Sequence, residues 1–291
     1  MKRIPRFPIL ALTALAHWPA ARAQVVFSGS AYTQDFQSMT ASALTPATIA
    51  NTTMTEVSGL SGGGSVSGWY VYGAAGVNRW GRNAGGSATA SFFGMFDSAS
   101  TPNLALGSLA GSSSAGFFGV VIQNTTGSTI TSFSFNYDAV IAKNPSTTVN
   151  SSTLSYLSSS DAVVTSSSTG AGTFSDSAGI WTTSTGFLSP SSGIGAPGTQ
   201  AAITPHFQIG GARISVTLSA LSWTNNGYLY LRWSDTDESG YDAMMGIDNF
   251  TVSAIPEPST YATIFGAAAL AGAVRYRRRQ KQEPPAPPPP A

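Results

Sequence analysis

Thr129-Ile130-Thr131-Ser132-Phe133-Ser134-Phe135-Asn136-Tyr137-Asp138-Ala139-Val140-Ile141 decides the fold class. Phe133, Phe135, Tyr137, Ala139 and Ile141 alternate with Ser132, Ser134, Asn136 and Asp138. A period of two puts the apolar set on one face of a strand, and aromatic side chains suit that pleated surface. Just before it, Asn124-Thr125-Thr126-Gly127 predicts a hairpin turn. Earlier still, Phe117 to Ile122 is an unbroken apolar run, as in a strand buried on both faces.

The same signals recur outward from this centre. Val25 to Phe27, Tyr32 to Phe36, Val66 to Tyr72, Thr89 to Met95 and Leu104 to Leu109 are strand candidates on the N-terminal side. On the C-terminal side, Arg213 to Leu221 carries Ile214, Val216, Leu218 and Ala220 on one face. Asn225-Asn226-Gly227 predicts a tight turn into Tyr228 to Trp233, and Gly246 to Ser253 is the last strand. Residues 37–65 read as a loop with little order. Residues 143–200 are Ser/Thr-rich, with brief apolar runs at Leu154 to Leu157, Ala162 to Val164 and Gly179 to Trp181. Strands separated by turns, with no helices between them, predict an all-β fold, a jelly-roll-like antiparallel β-sandwich. No fixed-period repeat supports a solenoid.

The chain has 291 residues and a formal net charge of +1, but its charge is divided. Between Gln24 and Pro258 stand five basic and twelve acidic residues, a net charge of −7. An acidic domain argues against a nucleic-acid partner and admits divalent cations. There is no cysteine, which excludes disulfides, thiolate metal sites and cysteine nucleophiles. The two histidines are His17 and His206, too few for a histidine-built zinc centre in the central domain.

Both ends carry export signals. Lys2, Arg3 and Arg6 precede the apolar run Ile9 to Ala16, and Ala21-Arg22-Ala23 fits the small-x-small cleavage rule. Cleavage after Ala23 makes Gln24 the first mature residue. This predicts a 1–23 signal peptide handled by the Sec translocon and signal peptidase. At the other end come Ile255-Pro256-Glu257-Pro258-Ser259-Thr260-Tyr261, an Ala/Gly-rich apolar run to Val274, and Arg275-Tyr276-Arg277-Arg278-Arg279. The two prolines break a preceding strand, and the arginines form a flank retained in the cytoplasm. Tyr261 to Val274 is about 21 Å of helix against a hydrocarbon core of about 30 Å, so a span requires snorkelling or local thinning. Residues 280–291 read as a disordered, polyproline-like tail.

In order and position, the motif, apolar run and arginine cluster resemble the PEP-CTERM sorting signal of Gram-negative bacteria. The resemblance covers residues 255–279. It implies processing by an exosortase near Pro256, Glu257 and Pro258, and an inner-membrane helix from Tyr261 to Val274 flanked by Arg275, Arg277, Arg278 and Arg279. Residues 24–254 bear a second, diffuse resemblance. Trp80, Ala105-Leu106-Gly107-Ser108-Leu109, the stretch from Asn124 to Thr131, and Leu231-Arg232-Trp233-Ser234-Asp235 through Ile247-Asp248-Asn249-Phe250 are similar to a β-sandwich ectodomain common in that group. Where relatives often carry Asp-His before the last strand, this chain has Asp242-Ala243.

Chemistry concentrates in Asp235-Thr236-Asp237-Glu238-Ser239-Gly240-Tyr241-Asp242, with Asp248 close behind. Asp-x-Asp-x-Ser-Gly presents oxygens at alternate positions as calcium loops do, which makes Asp235, Asp237, Asp242 and Asp248 candidate ligands and calcium the candidate cofactor. Gly246 holds the place of an EF-hand's closing glutamate, so an EF-hand is excluded. The competing reading is a solvated turn. The acids fall in one loop rather than facing one another from separate strands, and no Gly-x-Ser-x-Gly elbow leads into a helix. No catalytic residue is therefore assigned. Trp69, Tyr70, Trp80, Trp181, Trp223 and Trp233 can be read as a sugar-stacking patch or as core.

Together these features predict a non-enzymatic, exported cell-surface or extracellular-matrix protein, with an extracellular polysaccharide as a candidate partner. The alternative is a carbohydrate-binding module or adhesin, and behind it a secreted polysaccharide hydrolase.

Overall fold

The alternation around Phe135 becomes a strand of one sheet of a two-sheet sandwich in the computed structural model, which describes residues 24–40, 54–73, 79–83, 85, 91–96, 103–111, 116–160, 181–254 and 258–280. In chain order the strands are β1 (Val25–Phe27), β2 (Tyr32–Gln34), β3 (Thr55–Glu56), β4 (Trp69–Gly73), β5 (Trp80–Asn83) and β6 (Ser91–Phe96). Next come β7 (Leu104–Leu109), β8 (Gly116–Asn124), β9 (Phe133–Lys143), β10 (Ser151–Ser159) and β11 (Thr182–Thr183). The last five are β12 (Phe187–Leu188), β13 (Ala202–Gln208), β14 (Ile214–Leu218), β15 (Tyr228–Asp235) and β16 (Met244–Val252). One helix, α1 (Pro258–Gln280), follows.

The first sheet has the order β11-β10-β15-β8-β4-β3, with β1 also on β8 and β12 also on β10. The second has the order β13-β9-β16-β7-β6-β5, with β14 also on β9 and β2 also on β16. Pairing is antiparallel except for β1 with β8 and β5 with β6. Consecutive long strands change sheet: β8 and β10 lie in the first, β9 in the second, β15 in the first, β16 in the second.

That alternation corrects one expectation. Asn124-Thr125-Thr126-Gly127 is a turn, but it joins β8 to β9 across the sandwich and is not a hairpin. Asn225-Asn226-Gly227 is the tight turn expected, closed by the Gly227 N–H on the Thr224 carbonyl (3.0 Å) with Asn226 at φ 63, and it carries the chain from β14 in one sheet to β15 in the other. Turn residues specify that the chain bends and leave open which sheet it enters. The Ser/Thr-rich region also holds more structure than expected. Ser151–Ser159 pairs with β15 at eight positions, from Ser152↔Asp235 to Ser159↔Tyr228. Within the expected loop 37–65, Met39, Met54 and Val57 are buried. The reading of β8 holds, since Phe118, Val120 and Ile122 enter the main core. Phe117 and Val121 enter a second cluster on the sheet's other face with Met54, Tyr70, Tyr72 and Tyr230.

The main core is aromatic. Trp233 stacks on Trp69 (centroids 6.2 Å apart) and Phe118 (5.9 Å). It meets Tyr137 (5.3 Å) and Phe250 (6.3 Å) edge-on, so one ring joins both sheets. Aromatic pairs at such geometries add to area burial and fix orientation.

The helix differs from the expected span. It runs 23 residues, but its arginines fall inside it, and no helix among the described residues is long and apolar enough to cross a membrane. The transmembrane expectation for Tyr261 to Val274 is thus not met by hydropathy, because alanine and glycine contribute little transfer energy per residue. Gly266 to Arg277 are exposed, Leu270 at 68% and Val274 at 45%. Pro258 is the first helical residue, where a proline's missing N–H costs nothing. Pro256 and Glu257, the leader with Ala21 and Ala23, and residues 281–291 lie outside the described residues.

Candidate functional site

The acidic stretch does not form one site. Asp235 ends β15 on the face that carries Leu229, Leu231 and Trp233 into the core, and it is 1% exposed. Its Oδ2 accepts hydrogen bonds from Ser108 Oγ (2.8 Å) and the Ala110 N–H (3.0 Å), which ties β15 to the opposite sheet. Residues 236–243 then fold back onto the segment before β10. Glu238 Oε1 accepts from the Ser151 N–H (2.9 Å) and Ser151 Oγ (2.8 Å), and Oε2 accepts from Asn150 Nδ2 (3.0 Å). Asp242 Oδ1 accepts from the Glu238 N–H (3.1 Å) and Asn150 Nδ2 (3.3 Å). Asn150 Oδ1 accepts from the Ala243 N–H. At the tip, Thr147 Oγ1 donates to the Ser239 carbonyl (2.6 Å) and the Tyr241 N–H to Ser146 Oγ (2.7 Å).

Gly240 makes this return possible. Its φ is +100°, and a Cβ there would meet Ser146 Oγ and Thr147 Oγ1 at 2.5 Å.

Burial pushes the Asp235 carboxyl well above its ordinary range; the Ser108 bond opposes this, and the charges of Asp242 and Glu238 add to it. Asp242 is raised to about 7, mainly by burial, with the Glu238 N–H opposing and Asp237 and Glu238 adding. Asp237 itself is exposed and lies against Asp242. Among the described residues, no group of three or more His, Asp or Glu is placed to hold a metal ion by itself.

Asp248 belongs elsewhere, which corrects its grouping with the loop. In β16, Met245 and Ile247 face the main core, so Asp248 projects from the other face, opposite Asp138 of β9. A bulge follows, with Asn249 at φ 50. Asp248 Oδ1 accepts from the Asn249 N–H (2.6 Å), and Asn249 Nδ2 donates to Asp138 Oδ2 (2.9 Å) and Asp248 Oδ2 (3.2 Å). Arg213 Nε lies 3.4 Å from Asp138 Oδ1, and Gln208 Nε2 donates to the same oxygen (3.0 Å). Asp248 is 1% exposed, and burial raises it to about 7, with the Asn249 N–H opposing and Asp138 adding. A cleft of ≈ 360 Å³ opens beside it, lined by Asp35, Asp138, Arg213, Asn249 and Thr251 among others.

The aromatic candidates resolve mostly into core. Trp69, Tyr70, Trp80, Trp223 and Trp233 are at 0% exposure, and Trp181 alone is half-buried. Arg232 Cζ is stacked 4.1 Å from the Trp181 ring and 4.8 Å from that of Phe117. Of the two readings, core holds for Trp69, Tyr70, Trp80, Trp223 and Trp233, which are buried in the two clusters, while the Trp181 ring is covered by the Arg232 guanidinium. His206 Nε2 lies 3.2 Å from Asn103 Nδ2, an amide contact rather than a nucleophile's. Gln24 is described, and its Nε2 donates to Gln123 Oε1 (3.0 Å). Asn150, Ser151 and Ser108 were not legible as site residues, since nothing local distinguishes them from the many other serines and asparagines.

No family model matches the chain. No curated protein matches it either. Among solved structures, the K2 cleaved adhesin domain of Lys-gingipain is similar at 13% identity and a TM-score of 0.33, over 77% of this chain and 97% of that one. The enzymatically active domain of tailspike protein 4 of bacteriophage CBA120 is similar at 10% identity and 0.29, over 64% of this chain and 19% of that one. A carbohydrate-binding module specific for non-crystalline cellulose is similar at 11% identity and 0.23, over 73% and 94%. All three scores are low, and the architecture rests on this chain's own strand pairing.

Proposed function

We propose that this is a non-enzymatic protein of the cell surface or extracellular matrix, exported by its N-terminal leader and sorted by an exosortase acting near Pro256-Glu257-Pro258. The observation that supports it is an order: the last strand of the β-sandwich ends at Val252, the proline motif follows, then a helix with exposed Leu270 and Val274 whose last turns carry the arginine cluster. The apolar part of that helix is short for a bilayer. Residues 24–254 are the delivered part, and 280–291 stay in the cytoplasm. The alternation of long strands between sheets supports a jelly-roll-like path.

Replacing Pro256, Glu257 and Pro258 by alanine is expected to leave an uncleaved, membrane-retained precursor in a strain that has an exosortase. Immunoblots of membrane and culture fractions read the outcome. Mature protein of unchanged size and location would end the sorting role.

A further inference from the structure

The bulge in β16 gathers polar groups on the outer face of the second sheet. Ile247 and Phe250 both enter the core, so the two residues between them cannot simply alternate. Asn249 therefore joins Asp248 on the outside, where its Nδ2 donates to Asp138 and Asp248. Thr251 resumes the outward register opposite Thr33 of β2. A non-glycine residue at φ 50 is held there at a cost, and such positions gather where a ligand is met.

The turned backbone fixes a guanidinium. Arg213, just before β14, places Nε 3.4 Å from Asp138 Oδ1 and donates through Nη2 to the Asn249 carbonyl and to Thr251 Oγ1 (3.0 Å). Nη1 meets no acceptor among the described residues, and the side chain is 42% exposed on the cleft of ≈ 360 Å³. Asp35, exposed just past β2, lines the same cleft. Its Oδ1 accepts from the Gln37 N–H (3.1 Å), and its Oδ2 meets no donor among the described residues. The ladder between β2 and β16, with Phe250↔Gln34, brings Asp35 close enough to Asp248 for their charges to oppose.

The lining selects a ligand by charge. The Arg213 charge is matched by Asp138, and Asp35 adds a negative one, so an anion is opposed. A cation is opposed by Arg213, which two of its nitrogens hold in place. A neutral polyol suits both groups. Each hydroxyl donates and accepts: Nη1 offers only N–H donors, a carboxylate oxygen only accepts, and neighbouring hydroxyls on one ring answer both. A pinned guanidinium loses little freedom on binding. The volume lies at the small end of the range for small-molecule sites, about 300–1,000 Å³.

We propose that this cleft binds one or two sugar rings of a neutral glycan, held by Arg213 Nη1 and Asp35 Oδ2 with the Thr33 hydroxyl beside them. The inference does not depend on sorting, because the cleft binds sugar or fails to wherever the domain is delivered.

The test is binding of the full chain to an array of neutral glycans covering glucose, mannose, galactose and xylose in α and β linkage, with uronic-acid and amino-sugar glycans as comparators. Calorimetry with the free disaccharide of the best-bound neutral class then measures Kd. Asp35→Asn should weaken binding by about tenfold or more. It should melt as the parent does, because Asp35 is exposed and an asparagine oxygen still accepts from Gln37. Arg213→Lys should weaken binding by a similar factor, since an ammonium lacks the planar fork. Should that variant loosen the fold, Asp35→Asn decides alone. Trp181→Ala should bind as the parent does, because Trp181 stacks on Arg232 of the other sheet. Failure to bind any neutral glycan overturns the proposal, as does a preference for the charged ones. Parent-like binding in Asp35→Asn overturns it too, and loss in Trp181→Ala alone moves the site to the other sheet.

Discussion

Trp233→Ala is expected to cost about 3–5 kcal/mol of stability and to lower the melting temperature by about 10 °C or more. Trp233 touches the rings of Trp69, Phe118, Tyr137 and Phe250, drawn from both sheets. Alanine there leaves a cavity whose walls belong to separate ladders, each held by its own hydrogen bonds, so the site collapses poorly. The contrast is Trp181→Ala. That ring is half-buried over Arg232, and its removal gives up mainly a cation–π contact, about 1 kcal/mol. Urea unfolding followed by circular dichroism separates the two. The comparison also bears on carbohydrate binding. Any binding lost in Trp233→Ala accompanies loss of fold, whereas loss in a well-folded Trp181→Ala points to a contact at the surface. A Trp233→Ala protein that melts within a degree or two of the parent would show the ring to be outside the core.

The second large effect is a stability that falls as pH rises. The Asp248 carboxyl titrates near 7 in the folded protein against 3.8 as the ordinary value. Between those two values the folded state binds more protons than the unfolded one, so unfolding free energy declines with pH across that window and is flat above it. The upper bound is about 4 kcal/mol from three pH units at 1.36 kcal/mol each. Asp242 acts in the same direction over the same window. Melting in EDTA from pH 4 to pH 8 should therefore show a decline. Asp248→Asn should remove a large part of it, because the amide carries no charge and its oxygen still accepts from the Asn249 N–H. The variant should melt higher than the parent at pH 8 and close to it near pH 4. If its pH profile overlays the parent's, Asp248 is ionised at little cost, with Asn249 and the Arg213–Asp138 pair compensating it in full.

Local pattern determined the strands, and did so because burial in a strand has a period of two that any short window displays. Phe133, Phe135 and Tyr137 alternate in sequence and in burial. Leu104–Leu109 and Val25–Phe27 also fell where the residues placed them. Ser151–Ser159 was understated because its half-buried serines and threonines carry no hydrophobic period; its pairing with β15 holds it. Which sheet each strand joins was decided by tertiary structure alone. The turns at Asn124 and Asn225 suit a hairpin and a crossing between sheets equally well, and only burial of both inner faces selects the crossing. The acidic residues show the same division. Five of them between Asp235 and Asp248 are visible as a group in the sequence. The inward register of Asp235 and the outward register of Asp248 send them to opposite faces of different sheets. Their partners lie far away in the chain: Ser108 is 127 residues from Asp235, Asn150 is 92 from Asp242, and Asp138 is 111 from Asn249. A carboxylate's neighbours set its charge and its free oxygen, and in a sandwich of non-local ladders those neighbours are supplied by the fold.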